Sequence, residues 1–171
     1  MENNPRKDFA FDLKDIVPHY EIDCDLNTRA PEDFPSYDDF IIRVFNTEGT
    51  KSWMVRISSL KFVNPQYFEM NVKIQSWLLE RNFPVPKLIP LKKCSENYIF
   101  VDPEKKYLTY VTEFVDNSSL IPEGTALSLG YCKWLGGLIK DIHSKTEGFY
   151  EKYPHLLDCS IYEFEWSVGK I

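Results

Sequence analysis

The chain has no G-x-x-x-x-G-K-[ST] phosphate loop and no G-x-G-x-x-G turn, because its seven glycines are dispersed apart from Gly136-Gly137 inside a helical pattern. P-loop and dinucleotide folds, which cluster glycines so that backbone N–H groups can close on phosphate, are therefore disfavoured. The three histidines, His19, His143 and His155, have no spacing that suits metal ligation or a nucleophile's base, and there is no G-x-S-x-G elbow. His143, near the end of a helical pattern, reads as a favourable charge at the negative end of the helix dipole. The four cysteines, Cys24, Cys94, Cys132 and Cys159, form no CxxC pair, which argues against a zinc site or redox motif. They read as reduced thiols of a cytoplasmic protein. No apolar run approaches the roughly 18 residues of a membrane span, and the polar start from Met1 to Lys7 lacks the apolar core of a signal peptide. With a formal net charge of -6 and no basic stripe, nucleic acid is not an expected partner.

What is present is apolar and aromatic: 43% hydrophobic and 15% aromatic residues over 171 positions are enough to build a real core. Residues 1–34 mix charges with scattered apolar positions and carry Pro18 and Pro31, so an irregular N-terminal extension with one short helix or strand is expected there. Phe40 to Phe45 and Ser52 to Ile57 are β-branched and aromatic runs around Asn46-Thr47-Glu48-Gly49-Thr50, the pattern of a β-hairpin. Asn64-Pro65 supplies an N-cap and a first-turn proline, so a helix starts there. Tyr67, Met70, Ile74, Trp77 and Leu78 share one side of it, while Phe68, Val72 and Leu79 lie on another, so it is covered on more than one face. Pro84 and Pro86 stop it near Asn82.

Three further strands are predicted at Lys87 to Leu91, Tyr98 to Val101 and Tyr107 to Phe114. Pro122-Glu123-Gly124 introduces a second long helix, in which Leu127, Tyr131, Trp134, Leu138 and Ile142 keep the spacing of one buried stripe. Lys145 to Gly148 supply its stop signals. The tail from Phe149 to Ile171 has no clear period. The resulting class is α+β, an antiparallel sheet of about five strands with one helix, followed by further helices.

That order is also the order of a kinase-like N-lobe, and particular residues sharpen the likeness. Pro35-Ser36-Tyr37-Asp38-Asp39 before a strand, Val55-Arg56-Ile57-Ser58, Asn64-Pro65 with Glu69, and Phe83-Pro84 resemble the opening of hydroxylysine kinase. That family belongs to the aminoglycoside phosphotransferase and choline kinase-like group. The similarity continues through Tyr107-Leu108 and Glu113-Phe114-Val115 to the helix around Leu135, and faintly to Phe164 and Trp166. It implies an N-lobe at 35–115 and, at 116–171, a hinge with the first helices of a truncated C-lobe.

The resemblance also implies roles. In kinase-like lobes a strand lysine holds nucleotide phosphates and an acid on the next helix orients it by an ion pair. Those positions are Arg56 and Glu69 here. Arg56 departs from the usual lysine, and its planar fork can hold phosphate bidentately where an ammonium acts as a point charge. Ser36, Tyr37, Asp38 and Asp39 correspond to the nucleotide-covering loop, although it has no glycine, and Glu113, Phe114 and Val115 to the hinge that meets the base. The plainer readings are a salt-bridged strand arginine, a Glu69–Lys73 surface pair four residues apart, a polar turn and a strand end.

By resemblance the cofactors are GTP or ATP with Mg2+, and the acceptor is 5-hydroxy-L-lysine or a similar small amino alcohol. The family's catalytic loop carries a histidine, then an Asp and an Asn. Here His143 is followed by Ser144-Lys145 and His155 by Leu156-Leu157, so no catalytic residues and no metal ligands are assigned. The expectation is the nucleotide-side part of such a kinase, without phosphotransfer of its own. The alternative is a non-catalytic module that binds nucleotide or a protein partner.

Overall fold

Alternation along the first long hairpin decides which way the sheet faces. In a computed structural model that describes residues 9–34, 39–116 and 128–156, the chain runs through α1 (Leu13–Ile16), a 3-10 turn (Val17–His19), β1 (Glu32–Phe34), β2 (Phe40–Phe45) and β3 (Ser52–Ser59). It continues with α2 (Pro65–Glu80), β4 (Leu88–Ile89), β5 (Phe100–Asp102), β6 (Tyr107–Glu113), α3 (Leu129–Thr146), α4 (Phe149–Lys152) and a 3-10 turn (Pro154–Leu156). The six strands form one antiparallel sheet in the order β1-β2-β3-β6-β4, with β5 also paired to β6. The strand beyond the five expected is β1. Glu32-Asp33-Phe34 is too short and too acidic to show alternation, but it pairs along β2 with Phe34 opposite Ile41.

Phe40, Ile42 and Val44 stand opposite Ile57, Val55 and Trp53, and Val55 and Ile57 stand opposite Val111 and Thr109. Residues directly opposite in an antiparallel pair share a face, so these side chains form one apolar surface. The N-terminal segment covers it: Ile16, Val17, Tyr20 and Ile22 are buried against Ile42, Val44, Val55, Ile57, Tyr107 and Val111, with Phe9 and Phe11 packed at the edge. Tyr20 anchors this cover. Its hydroxyl donates to the Thr109 carbonyl at 2.8 Å, lies 2.8 Å from Thr109 Oγ1 and accepts the Phe100 N–H at 3.3 Å.

The opposite face carries Ile41, Arg43 and Phe45, and, across from them, Arg56, Met54 and Ser52. α2 crosses one end of it, where Phe68 meets Tyr110 edge-on at 4.9 Å. The predicted start of α2 holds: the Asn64 side chain accepts the Gln66 N–H at 3.0 Å, with Pro65 in the first turn. So does its end. Asn82 takes a left-handed φ of 55°, and the N–H groups of Asn82 and Phe83 return to the carbonyls of Leu79 and Leu78 at 3.0 and 2.9 Å, which closes the helix C-terminus.

The outer flank of α2 is covered in turn, as its two apolar sides require. Met70 and Trp77 are buried against Phe149 and Leu156, and Trp77 Nε1 donates to the Lys145 carbonyl at 2.7 Å. α3 departs from expectation. Ser128 caps it by accepting the Tyr131 N–H at 3.1 Å, and Gly148 ends it at φ 77°. Yet none of its described residues is buried, and Trp134, expected in a buried stripe, is 58% exposed. Tyr131, Leu135, Leu138 and Ile142 are half-buried; the four-residue step from Tyr131 reaches Leu135 and leaves Trp134 rotated away. Pro122, Gly124, Leu127, Phe164, Trp166 and Cys159 lie outside the described residues. Among the described residues no helix is long and apolar enough to cross a membrane.

Burial pushes the Tyr20 phenol well above its ordinary pKa, against the lowering pull of its bonds to Thr109 and Phe100. The folded state therefore favours the neutral phenol. Its contribution is complete below about pH 10, the ordinary tyrosine value, and is lost as pH rises above it. Tyr20→Phe should lower the unfolding free energy by about 1–2 kcal/mol in urea titrations at pH 7, and should weaken the alkaline loss of stability seen in the parent chain.

Candidate functional site

The open part of the second face concentrates charge. Asp39 immediately precedes β2 and is 3% exposed; the register that sets Phe40 opposite Ile57 brings it level with Ser58. Arg56 Nε donates to Asp39 Oδ2 at 2.6 Å, and Arg56 Nη2 lies 2.5 Å from the same oxygen. Ser58 Oγ bonds Asp39 Oδ1, so both carboxylate oxygens are satisfied. Arg56 Nη1 donates to the Tyr110 hydroxyl at 3.4 Å. Burial disfavours the charge on Arg56, but Tyr110 and then Asp39 more than offset this and hold its pKa above the ordinary value. The side chain stays 34% exposed. It is a fixed cation whose far edge meets solvent.

The acid that orients Arg56 is thus Asp39, just before the neighbouring strand, and the Arg56–Glu69 ion pair expected from the family pattern is not formed. Glu69 sits in the second turn of α2 and faces His155, with Nε2 3.8 Å from its Oε1. Nor does it pair with Lys73, whose ammonium lies over the Tyr153 ring at 5.7 Å. The reason is reach. Asp39 already neutralises the guanidinium from the sheet, and the adjacent helix residue, Phe68, packs between α2 and Tyr110.

Asp39 also proves different from a residue of a covering loop, since it is a buried bracket beneath the cation. Ser36, Tyr37 and Asp38 lie outside the described residues; the strands before and after them, β1 and β2, are antiparallel neighbours in the sheet. Of the hinge residues, Glu113 and Phe114 already spend their N–H groups on the Lys87 and Ser52 carbonyls at 2.8 and 3.0 Å. What the segment presents to the face is the Phe114 ring, 6.2 Å from Phe34; Val115 is 59% exposed. Glu113 stands opposite Trp53 and so belongs to the other face.

Reading the sequence missed Ser58 and Tyr110 as partners of Arg56, and it missed Arg43. Arg43 lies between two aromatic rings, 3.7 Å above Phe114 and 4.7 Å above Phe45, with Nε donating to Ser52 Oγ at 3.0 Å. A cation inside the apolar run Phe40 to Phe45 was the available signal. Among the described residues no group of three or more His, Cys, Asp or Glu side chains comes together, and both oxygens of Asp39 are engaged. The described residues offer no built site for a divalent ion.

Comparison with known proteins places this geometry. No family model matches the chain, and no curated protein matches its sequence. Among solved structures it is similar to amicoumacin kinase hAmiN in complex with AMP-PNP, Ca2+ and Ami, with a TM-score of 0.58 at 13% identity, over 78% of this chain and 38% of that one. The chain therefore spans well under half the length of that enzyme. The shared property is the fold: an α+β, kinase-like N-lobe with helices of a partial C-lobe.

If Asp39 is the residue that holds Arg56, its loss strands a half-buried cation, whereas loss of Glu69 frees only a surface contact. Asp39→Ala should lower the unfolding free energy by about 1–3 kcal/mol, discounted from a fully buried pair because Arg56 is partly solvated. Glu69→Ala should stay within about 0.5 kcal/mol of the parent. Urea denaturation of the two variants makes the comparison.

Proposed function

We propose that these residues form the nucleotide-side part of a small-molecule phosphotransferase of the hydroxylysine kinase kind, in which Arg56 holds the phosphates of GTP or ATP. The observation that carries this reading is the Arg56 network. A guanidinium has five N–H donors; two point to Asp39 and one to Tyr110, which leaves two, one on each Nη, for phosphate oxygens. Such charge-assisted, planar contacts are what arginine offers a phosphate. The fold it shares with a solved enzyme captured with AMP-PNP supports the same assignment.

Ser36, Tyr37 and Asp38 belong in this reading to the loop over the nucleotide, and Phe114 and Val115 to its base end. The acceptor, 5-hydroxy-L-lysine or a similar amino alcohol, rests on the sequence resemblance, and a cytoplasmic setting rests on reading the widely spaced cysteines as reduced thiols. Mg2+ neutralises phosphate charge when such an enzyme turns over, and no acid or histidine here is assigned to it. This chain binds nucleotide and does not transfer the phosphoryl group by itself.

Calorimetric titration with GTP and ATP should show binding, and Arg56→Ala should weaken it by about 10- to 100-fold, the effect of losing one or two charge-assisted bonds of about 1.5–3 kcal/mol. Absence of binding at millimolar nucleotide would remove the proposal. Turnover of hydroxylysine by the purified chain would remove its last clause.

A further inference from the structure

Arg43 is the second cation on the open face, and its surroundings differ from those of Arg56. It stands opposite Met54, which stands opposite Thr112, one pleat repeat from the row that holds Ile41, Arg56 and Tyr110. Two residues of strand advance about 7 Å. A ligand whose phosphates reach Arg56 and which extends along the strands therefore lays its sugar or base over the Arg43 row. Rings from three separate elements gather around it: Arg43 lies over Phe45 of β2 and Phe114 just past β6, and Phe34 of β1, opposite Ile41, meets Phe114 at 6.2 Å. Arg43 ties them together. Its guanidinium carbon lies over the rings of Phe114 and Phe45, its Nε is fixed by Ser52, and its Nη1 is 3.4 Å from Glu32 of β1. Glu32 in turn holds Arg29 at 2.9 Å, and Arg29 covers Phe45 at 3.6 Å.

We infer that Arg43 is a positioning residue for the base end of the bound nucleotide: it clamps Phe114 against the sheet and so holds that ring in its tilted contact with Phe34. This rests on the nucleotide-binding reading given above. Arginine suits the task because a planar, weakly hydrated cation can stack on an aromatic face while its edge N–H groups bond elsewhere. An ammonium at the same position keeps the charge but not the flat contact. The cation is only 23% exposed, so it acts through the ring it holds more than as a surface charge.

The test separates base from phosphate. GTP, ATP and inorganic tripolyphosphate are titrated into the full chain and into Arg43→Ala, Arg43→Lys and Arg56→Ala, with a thermal melt of each variant. Arg43→Ala should weaken both nucleotides at least tenfold and leave tripolyphosphate within twofold, Arg43→Lys should recover part of the loss, and Arg56→Ala should weaken all three ligands. Nucleotide affinity unchanged in Arg43→Ala, or an equal loss for tripolyphosphate, overturns the positioning role while leaving nucleotide binding intact. A parent chain that binds none of the three ligands overturns both readings together.

Discussion

The pairing of Asp39 with Arg56 constrains everything on the working face of the sheet. Removing a carboxylate and a guanidinium from water costs several kcal/mol per ion, and the cost is recovered only where the geometry is good and the remaining lone pairs are satisfied. Ser58 satisfies the second oxygen of Asp39, which leaves the pair complete. The arrangement depends on register. A slip of one residue between β2 and β3 would turn Arg56 into the packed apolar face and Ile57 out of it. The same alternation that buries Ile42, Val44, Val55 and Ile57 therefore sets Asp39, Arg43 and Arg56 on the other side. Core and site specify each other.

How much of this could be read in advance follows from where the signals lie. The β2–β3 hairpin, α2 with its Asn64-Pro65 start, and the later strands announce themselves through local alternation, caps and prolines, and the structure has them. β1 does not, because three residues with two acids carry no period and become a strand only by pairing with Phe40 to Phe45. Arg56 stands out only through the family resemblance, and the same resemblance points to a partner on α2 where the structure has Asp39. A helix acid and a strand acid look alike in sequence; only the register, which sets Asp39 beside Ser58, tells them apart.

α2 and α3 show the limit of periodicity in a second way. Both carry apolar residues on more than one side. α2 buries residues on both sides, with Phe68 turned to the sheet and Met70 and Trp77 to α4 and the turn beyond it. α3 buries none fully. It also carries Gly136 and Gly137, where an added Cβ would find nothing within 4 Å, and each glycine costs a helix interior about 1 kcal/mol relative to alanine. Its stability therefore leans on its two ends, the Ser128 cap and the anchoring of Lys145 to Trp77 and to the Arg81 carbonyl, 3.0 Å from Nζ.

Arginine suits position 56 because both of its partners lie on one sheet. An ammonium is a compact point charge, and a helix acid brought close to it can orient it from a distance. A guanidinium has a direction, and it needs an acceptor in its own plane. Asp39, one strand away, supplies that acceptor, and Tyr110, on the strand at the other side, takes the next donor. Cation and acid are thus both carried by the sheet. α2 holds no partner of Arg56, so the register of the strands, and not the placement of the helix acid, sets the direction of the guanidinium.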